Sequence, residues 1–98
     1  MYVYYRATSL KEAKALSEGY QLASDKGVTY WTDGIQPARL YQGASRVIVR
    51  LTTSKPVPEC YMSVAQQYNV VRNHREWCVP KNYFNKFLAA YAEKVEVL

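Results

Sequence analysis

The chain has 98 residues, a length that suits one domain with one hydrophobic core and is too short for two. Hydrophobic residues make up 49% of it and charged residues 21%, with only four Gly and four Pro, so a disordered or fibrous chain is excluded. The net charge of +5 favours anionic partners. No apolar run approaches the ~20 residues of a membrane helix. We therefore expect a single domain over residues 1–98 that does not enter a membrane.

The two cysteines do not predict a metal site. Cys60 and Cys78 are far apart in the sequence, and only one histidine is available to complete a set of four zinc ligands. The chain does not open with the charged and apolar segments of a secretion signal, so we expect a cytoplasmic protein with free, buried thiols.

The first half of the chain predicts two strand–helix units and a third strand. Residues 2–6 are aromatic and β-branched and predict a strand that ends at residue 7 or 8. Ser9 and Glu12 have the spacing of a capping box, which predicts a helix over about residues 10–18. The same rules predict strands over 28–32 and 46–52 and a short helix over 35–42.

The second half is less regular. Residues 55–58 carry two prolines and predict a connection or an edge, because proline cannot donate to a strand ladder. Residues 60–72 suit a short helix followed by a strand without requiring either. A strand over 76–79, a helix from Pro80 and a last strand over 94–98 follow. This order predicts an α+β domain with short helices packed on a mixed β-sheet.

Two common kinds of active site find little support. A hydrolase would have to use His74, the only histidine, with Ser63 or a cysteine as the nucleophile, and nothing beyond their presence indicates this. The four glycines are scattered and form neither a Walker loop nor a dinucleotide fingerprint. ATP binding and Rossmann-type NAD binding are therefore disfavoured.

Three segments, taken in order, resemble the ADP-ribosyltransferase superfamily. Residues 5–13 pair Tyr-Arg at a strand end with Thr, Ser and Glu-Ala leading into a helix, and look like the opening of many small members. Residues 29–33, followed by Ala38 and Tyr41, are similar to the family's aromatic Ser/Thr strand and the short helix after it. Residues 76–80 resemble the late strand that carries the catalytic glutamate and leads into Val-Pro. The resemblance spans nearly the whole chain.

The resemblance implies a split, ADP-ribosyltransferase-like core with a cleft for NAD as substrate, and cleavage of the nicotinamide–ribose bond. Glu76 would be the catalytic carboxylate, because a carboxylate beside the ribose stabilises an oxocarbenium-like state. Arg6 would be the second catalytic residue and would hold the pyrophosphate or ribose through its fork of donors. Thr32 would bind ribose or fix Glu76, and Tyr30, Trp31 or Tyr41 would stack on nicotinamide. The NAD-binding residues implied are Arg6, Ala7, Thr8, Tyr30, Thr32 and Tyr41.

The chain also departs from the family pattern. His74 stands two residues before Glu76, where transferases of the Arg-Ser-Glu class carry Gln or Glu to guide the acceptor. Tyr-Trp-Thr replaces the usual Ser-Thr-Ser, and the chain is shorter than most active members. The acceptor of ADP-ribose thus stays open between a protein, a nucleic acid and water, as in an NAD glycohydrolase. The oligomeric state is also open.

Other interpretations stand beside this one. The ten tyrosines and the basic charge also suit a small non-catalytic effector or inhibitor that binds a protein or nucleic-acid partner. A nucleic-acid binder would stack rings on bases and meet phosphates with Arg39, Arg46, Arg50 and Arg72. The basic residues are dispersed, however, and an ordinary solvated face explains them as well.

Single site residues also have structural explanations. Arg6 could form only an ion pair at a strand end, and Glu76 could pair with Arg72 or Arg75. Tryptophan is more often part of a core than of a stacking platform, which applies to Trp31 and Trp77.

Overall fold

The computed structural model describes residues 1–22, 26–40, 42, 46–63 and 75–98. These form an α+β domain, as the sequence predicts. The elements in chain order are β1 (Tyr2–Ser9), α1 (Leu10–Ser17), β2 (Val28–Thr32), α2 (Ile35–Leu40), β3 (Arg46–Thr53), a 3-10 turn (Glu59–Tyr61), β4 (Met62–Ser63), β5 (Glu76–Pro80), α3 (Lys81–Tyr91) and β6 (Ala92–Val97).

The predicted boundaries agree with these elements to within a few residues. The 3-10 turn and the two-residue strand β4 occupy the start of the segment left open at 60–72, and residues 64–72 lie outside the described residues. Strand β6 begins directly after α3, two residues earlier than predicted. No helix in the described ranges is long and apolar enough to cross a membrane.

Within the described residues, the sheet has six strands in the order β4-β5-β2-β1-β3-β6, and every neighbouring pair is antiparallel. The prediction of a mixed sheet is therefore wrong. That prediction rested on the order of strands and helices along the chain, which does not fix the direction in which neighbouring strands pair. Helix α1 lies over β3 and β6, so the chain enters β2 from the end of the sheet at which it left β1. The alternation of residues in a strand suits both directions of pairing and cannot distinguish them.

Of the neighbouring strands described, β1 and β2 share the fewest paired residues. Strand β1 pairs with β3 along its whole length, from Tyr2↔Thr53 to Ser9↔Arg46. Its register with β2 holds only at Tyr5↔Thr32. Beyond that pair β1 and β2 diverge, and the sheet is nearly two halves, β4-β5-β2 and β1-β3-β6.

The main core lies on the sheet face that α1 and α3 cover. Trp31 of β2 has no exposed surface and stacks on Phe84 of α3 with ring centroids 5.3 Å apart. Trp77 of β5 meets Tyr4 of β1 edge-to-face at 5.1 Å. Both tryptophans therefore belong to the core. The remaining buried members of this cluster are Ala13, Leu16, Val49, Leu51, Val57, Val79, Phe87 and Leu88.

Helix α2 covers only part of the opposite face. A small cluster forms there between Ala38 of α2, Ala7 of β1 and Ile48 of β3, with Tyr5 and Ile35 packed against it. Because α2 has only six residues, the described helices leave most of this face uncovered. The polar residues of the strands are displayed there.

The cysteines are free, as expected, but the expected burial is wrong for one of them. Cys78 on β5 is half-buried, whereas Cys60 in the 3-10 turn is exposed. A turn at the sheet margin offers no neighbouring layer to cover a side chain, which explains the difference.

Replacing Phe84 by alanine tests the main core. We expect Phe84→Ala to lower the free energy of unfolding by about 3–5 kcal/mol, because a fully buried ring is lost and a cavity is left beneath Trp31. The exposed Lys86 on the same helix supplies the control, and Lys86→Ala should change stability by less than about 0.5 kcal/mol. Urea denaturation followed by tryptophan fluorescence measures both. Equal losses in the two variants would contradict this account of the core.

Candidate functional site

A cavity of about 390 Å³ opens where β1 and β2 diverge. This volume lies within the range of small-molecule sites. Five residues that the sequence resemblance implied line it, from three separate strands: Arg6 and Ala7 of β1, Tyr30 and Thr32 of β2, and Glu76 of β5. The other lining residues are Tyr5, Lys26, Ala38 and Arg46.

One row of residues crosses the open face of the sheet, and three of its members, Tyr5, Thr32 and Glu76, line the cavity. Strand register places Tyr5 beside Thr32, and Thr32 beside Glu76. In the other direction Tyr5 lies beside Arg50, which pairs with Glu96. Directly opposed residues hold their Cβ atoms about 4.5–5.5 Å apart, so Thr32 and Glu76 are immediate neighbours.

Glu76 is a carboxylate that has no protein partner among the described residues. Within the described ranges, no hydrogen bond or ion pair engages it, so pairing with Arg75 is not observed, and Arg72 lies outside those ranges. The side chain is half-buried at the first residue of β5, and this burial raises its pKa above the ordinary value. A partly desolvated carboxylate in a cavity is a typical feature of functional sites.

The Thr32 hydroxyl is anchored to the backbone beside Glu76. It donates to the Gly34 carbonyl over 2.9 Å and lies 3.4 Å from the Tyr5 carbonyl. Its proton is thereby committed, and its oxygen remains able to accept a hydrogen bond. Thr32 could thus accept from a ligand hydroxyl.

Arg6 bridges the gap between the diverging strands. Its Nε donates to Glu12 Oε2 over 3.0 Å and one terminal nitrogen reaches Glu12 Oε1 at 3.4 Å. The other terminal nitrogen donates to the Tyr30 carbonyl over 3.0 Å, across the missing part of the β1–β2 ladder. The pair is well shielded, with 18% of the Arg6 side chain and 9% of the Glu12 side chain exposed. Arg6 is therefore far more than a surface ion pair.

Glu12 has a different partner from the one that a capping box supplies. Ser9 Oγ accepts from the Glu12 amide over 3.1 Å, so the N-terminal cap of α1 forms as predicted. The Glu12 carboxylate, however, turns to Arg6 instead of returning to the Ser9 amide. The capping box is thus half formed, because the buried guanidinium offers the stronger, charge-assisted bond.

A buried polar network contacts this ion pair at its Glu12 carboxylate. The side-chain amide of Gln21 donates to Glu12 Oε1 and accepts from Thr29 Oγ1 over 2.9 Å, and Thr29 accepts from the Trp31 indole over 3.0 Å. The Asn85 side chain of α3 accepts from the backbone amide of Gln21 over 2.6 Å and donates to the backbone carbonyl of Gln21 over 3.3 Å. Sequence reasoning missed Gln21, since nothing marks a lone glutamine after a helix as buried.

The aromatic residues that were expected to stack on a ligand differ in their exposure. Tyr30 is 44% exposed and lines the cavity, and a hydrogen bond with Cys78 on β5 raises the pKa of its phenol. Trp31 is fully buried, so the expectation that it could stack on a ligand is wrong. Its side chain points to the opposite face from Tyr30, as neighbouring residues of a strand must. Tyr41, like His74, lies outside the described residues.

Thr8 and two basic residues complete the comparison with the sequence. Thr8 is buried and is not among the residues that line the cavity. Lys26 and Arg46 do line it, although neither was predicted as a site residue in the cavity. They line the same cavity as Arg6 although they are distant from it in sequence. Among the described residues, no group of three or more His, Cys, Asp or Glu side chains could hold a metal ion.

Comparison with known proteins adds no further information about the site. The chain matches no family model, no curated protein and no solved structure at a significant level.

Removing Glu12 tests the support of the cavity wall. We expect Glu12→Ala to lower the free energy of unfolding by about 3 kcal/mol or more, because it leaves Arg6 and Gln21 buried without their acceptor. Glu18→Ala, at the exposed end of the same helix, should cost less than about 0.5 kcal/mol. Chemical denaturation measures both. Similar small losses in the two variants would show that the ion pair does not stabilise the domain.

The raised pKa of Glu76 predicts a pH dependence of stability. The folded protein keeps the Glu76 proton to higher pH than the unfolded chain, whose carboxyl titrates near 4.5. Stability should therefore fall as pH rises from about 4.5 through the folded pKa, and Glu76→Gln should remove this loss. Glu96→Gln gives a control of opposite sign. Arg50 lowers the pKa of Glu96, so that carboxylate loses its contribution as pH falls. Unfolding midpoints measured at several pH values test this prediction. A stability difference between wild type and Glu76→Gln that does not change with pH would contradict the raised pKa of Glu76.

Proposed function

We propose that this cavity binds NAD and that the protein is an ADP-ribosyltransferase or NAD glycohydrolase. One observation carries the proposal: Arg6, Thr32 and Glu76, which are implied by the sequence resemblance and are 26 and 44 residues apart in turn, line one cavity. The near division of the sheet at Tyr5↔Thr32 is consistent with the split core that the resemblance implies.

The chemistry needs a carboxylate beside the ribose. Cleavage of the nicotinamide–ribose bond sends the bonding electron pair to the nicotinamide nitrogen and leaves an oxocarbenium-like ribose. Glu76 stabilises that developing positive charge, and the effect is strong because its surroundings are partly desolvated. An acceptor nucleophile or water then bonds to the ribose carbon and loses its proton. Glu76, ionised above its raised pKa, is placed to orient that nucleophile.

The remaining residues position the substrate. Thr32, beside Glu76, accepts a hydrogen bond from a ribose hydroxyl. Tyr30 offers an exposed ring for stacking on the nicotinamide. Arg6 contributes positive charge to the wall and keeps two N–H groups beyond the three that its hydrogen bonds occupy. The acceptor is a macromolecule, protein or nucleic acid, or water.

Nicotinamide release from NAD by the purified protein tests this function. Wild-type protein is assayed with and without cell extract as a source of acceptors. We expect Glu76→Gln to lower the rate by at least about 100-fold, because an electrostatic group for the transition state is lost while the fold is kept. Glu93→Gln, an exposed carboxylate on β6, is the matched control and should keep the full rate. The rate should also rise with pH through the raised pKa of Glu76.

Two outcomes would contradict the proposal. One is wild-type protein that neither releases nicotinamide under either condition nor binds NAD, which would leave a non-catalytic binding protein as the better interpretation. The other is nicotinamide release that Glu76→Gln leaves unchanged. Circular dichroism of each variant checks that the fold is intact.

A further inference from the structure

Two basic residues lie at the end of the cavity farthest from Glu76. Arg46 is the first residue of β3 and pairs with Ser9, the last residue of β1. Lys26 precedes β2 by two residues. Because β1 and β2 are antiparallel, the end of β1 and the start of β2 lie at the same end of the sheet, where the two strands have diverged. Both side chains line the cavity there.

The turn that carries Lys26 has a fixed position. Gly27 adopts a positive φ of 66°, a conformation that glycine reaches without strain. Its carbonyl accepts from the Lys81 amide at the start of α3 over 2.9 Å. This bond ties the backbone next to Lys26 to the start of α3, and the exposed Lys26 side chain lines the cavity.

Among the described residues these two cations have no protein partner, which distinguishes them from Arg6 and Arg50. In the ranges that the structure describes, neither the Lys26 amine nor the Arg46 guanidinium makes an ion pair or a side-chain hydrogen bond. Arg6 is engaged by Glu12 and Tyr30, and Arg50 by Glu96. An incoming anion can therefore bind the free pair without breaking an existing bond.

The cavity is consequently polarised along the strands. Val28, near Lys26, lies four positions before Thr32, beside Glu76, on β2, a distance of about 13 Å at 3.3 Å per residue. Arg46 and Arg50 are separated equally along β3. A carboxylate lies at one end of the cavity and two free cations at the other. A ligand that is complementary to this cavity has an electron-poor end, which lies beside the carboxylate, and an anionic end, which lies beside the two cations.

We propose that Lys26 and Arg46 form an anion subsite that binds the diphosphate group of the substrate. This inference rests on the proposed function, since it assigns the diphosphate end of the same NAD molecule. It gives the diphosphate to Lys26 and Arg46 instead of Arg6, whose guanidinium holds the two strands together. An arginine fork and a lysine amine together supply the charge-assisted bonds that phosphate oxygens accept.

Titration with inorganic pyrophosphate tests the subsite without any NAD chemistry. Isothermal calorimetry is performed on the full chain at constant ionic strength, with Lys26→Gln, Arg46→Gln and the double variant. We expect the double variant to bind pyrophosphate at least about tenfold more weakly, because two charge-assisted contacts are lost. Lys11→Gln and Arg39→Gln remove exposed cations that do not line the cavity and should retain wild-type affinity. Thermal unfolding verifies that every variant is folded.

The outcomes separate this inference from the proposed function. No saturable pyrophosphate binding by the wild type, or equal weakening by the Lys11 and Arg39 variants, overturns the subsite. Pyrophosphate binding that depends on Lys26 and Arg46, in a protein that releases no nicotinamide, keeps the subsite and refutes the enzyme. Where the enzyme is active, the double variant should raise KM for NAD with little change in kcat. An unchanged KM overturns the subsite while the enzyme stands.

Discussion

The ion pair between Arg6 and Glu12 is the interaction on which the arrangement of the site depends. It spans the place where β1 and β2 stop pairing, and it ties β1, α1 and the backbone of β2 together. A gap in a sheet exposes backbone groups that need partners, and the guanidinium supplies a donor for one of them. Gln21 and Asn85 extend the same network to α3. The sheet can therefore open into a cavity without losing the connection between its halves.

The two faces of the sheet differ in the helices that cover them. Helices α1 and α3 bury the aromatic core on one face, where Trp31 and Phe84 stack. The six-residue α2 covers a small part of the other, and within the described residues the row from Glu96 to Glu76 lies on that face. Burying one face stabilises the domain, and leaving the other polar allows chemistry. Glu76 is half-buried and has no partner among the described residues, and this burial raises its pKa.

Much of the secondary structure could be predicted because its signals are local. The cap at Ser9, the β-branched run of β3 and the aromatic face of α3 each act within a few residues and were recognised. The pairing of strands is a long-range property, and the expected mixed sheet is antiparallel throughout. Trp31 and Tyr30 show the same limit within the site. They are adjacent and similar in chemistry, yet only strand alternation and the helix layer decide that one is core and the other faces the cavity.

The sequence by itself determined the α+β class, the order of the elements outside residues 60–72 and the candidates Arg6, Thr32 and Glu76, because composition, caps and residue types express those features locally. Only the tertiary structure decided that these three line one cavity and that Arg6 is held by Glu12. It alone brought Lys26 and Arg46 to the far end of that cavity. The physical reason is strand register: hydrogen bonding between distant strands places side chains beside one another, and no short sequence window contains that information.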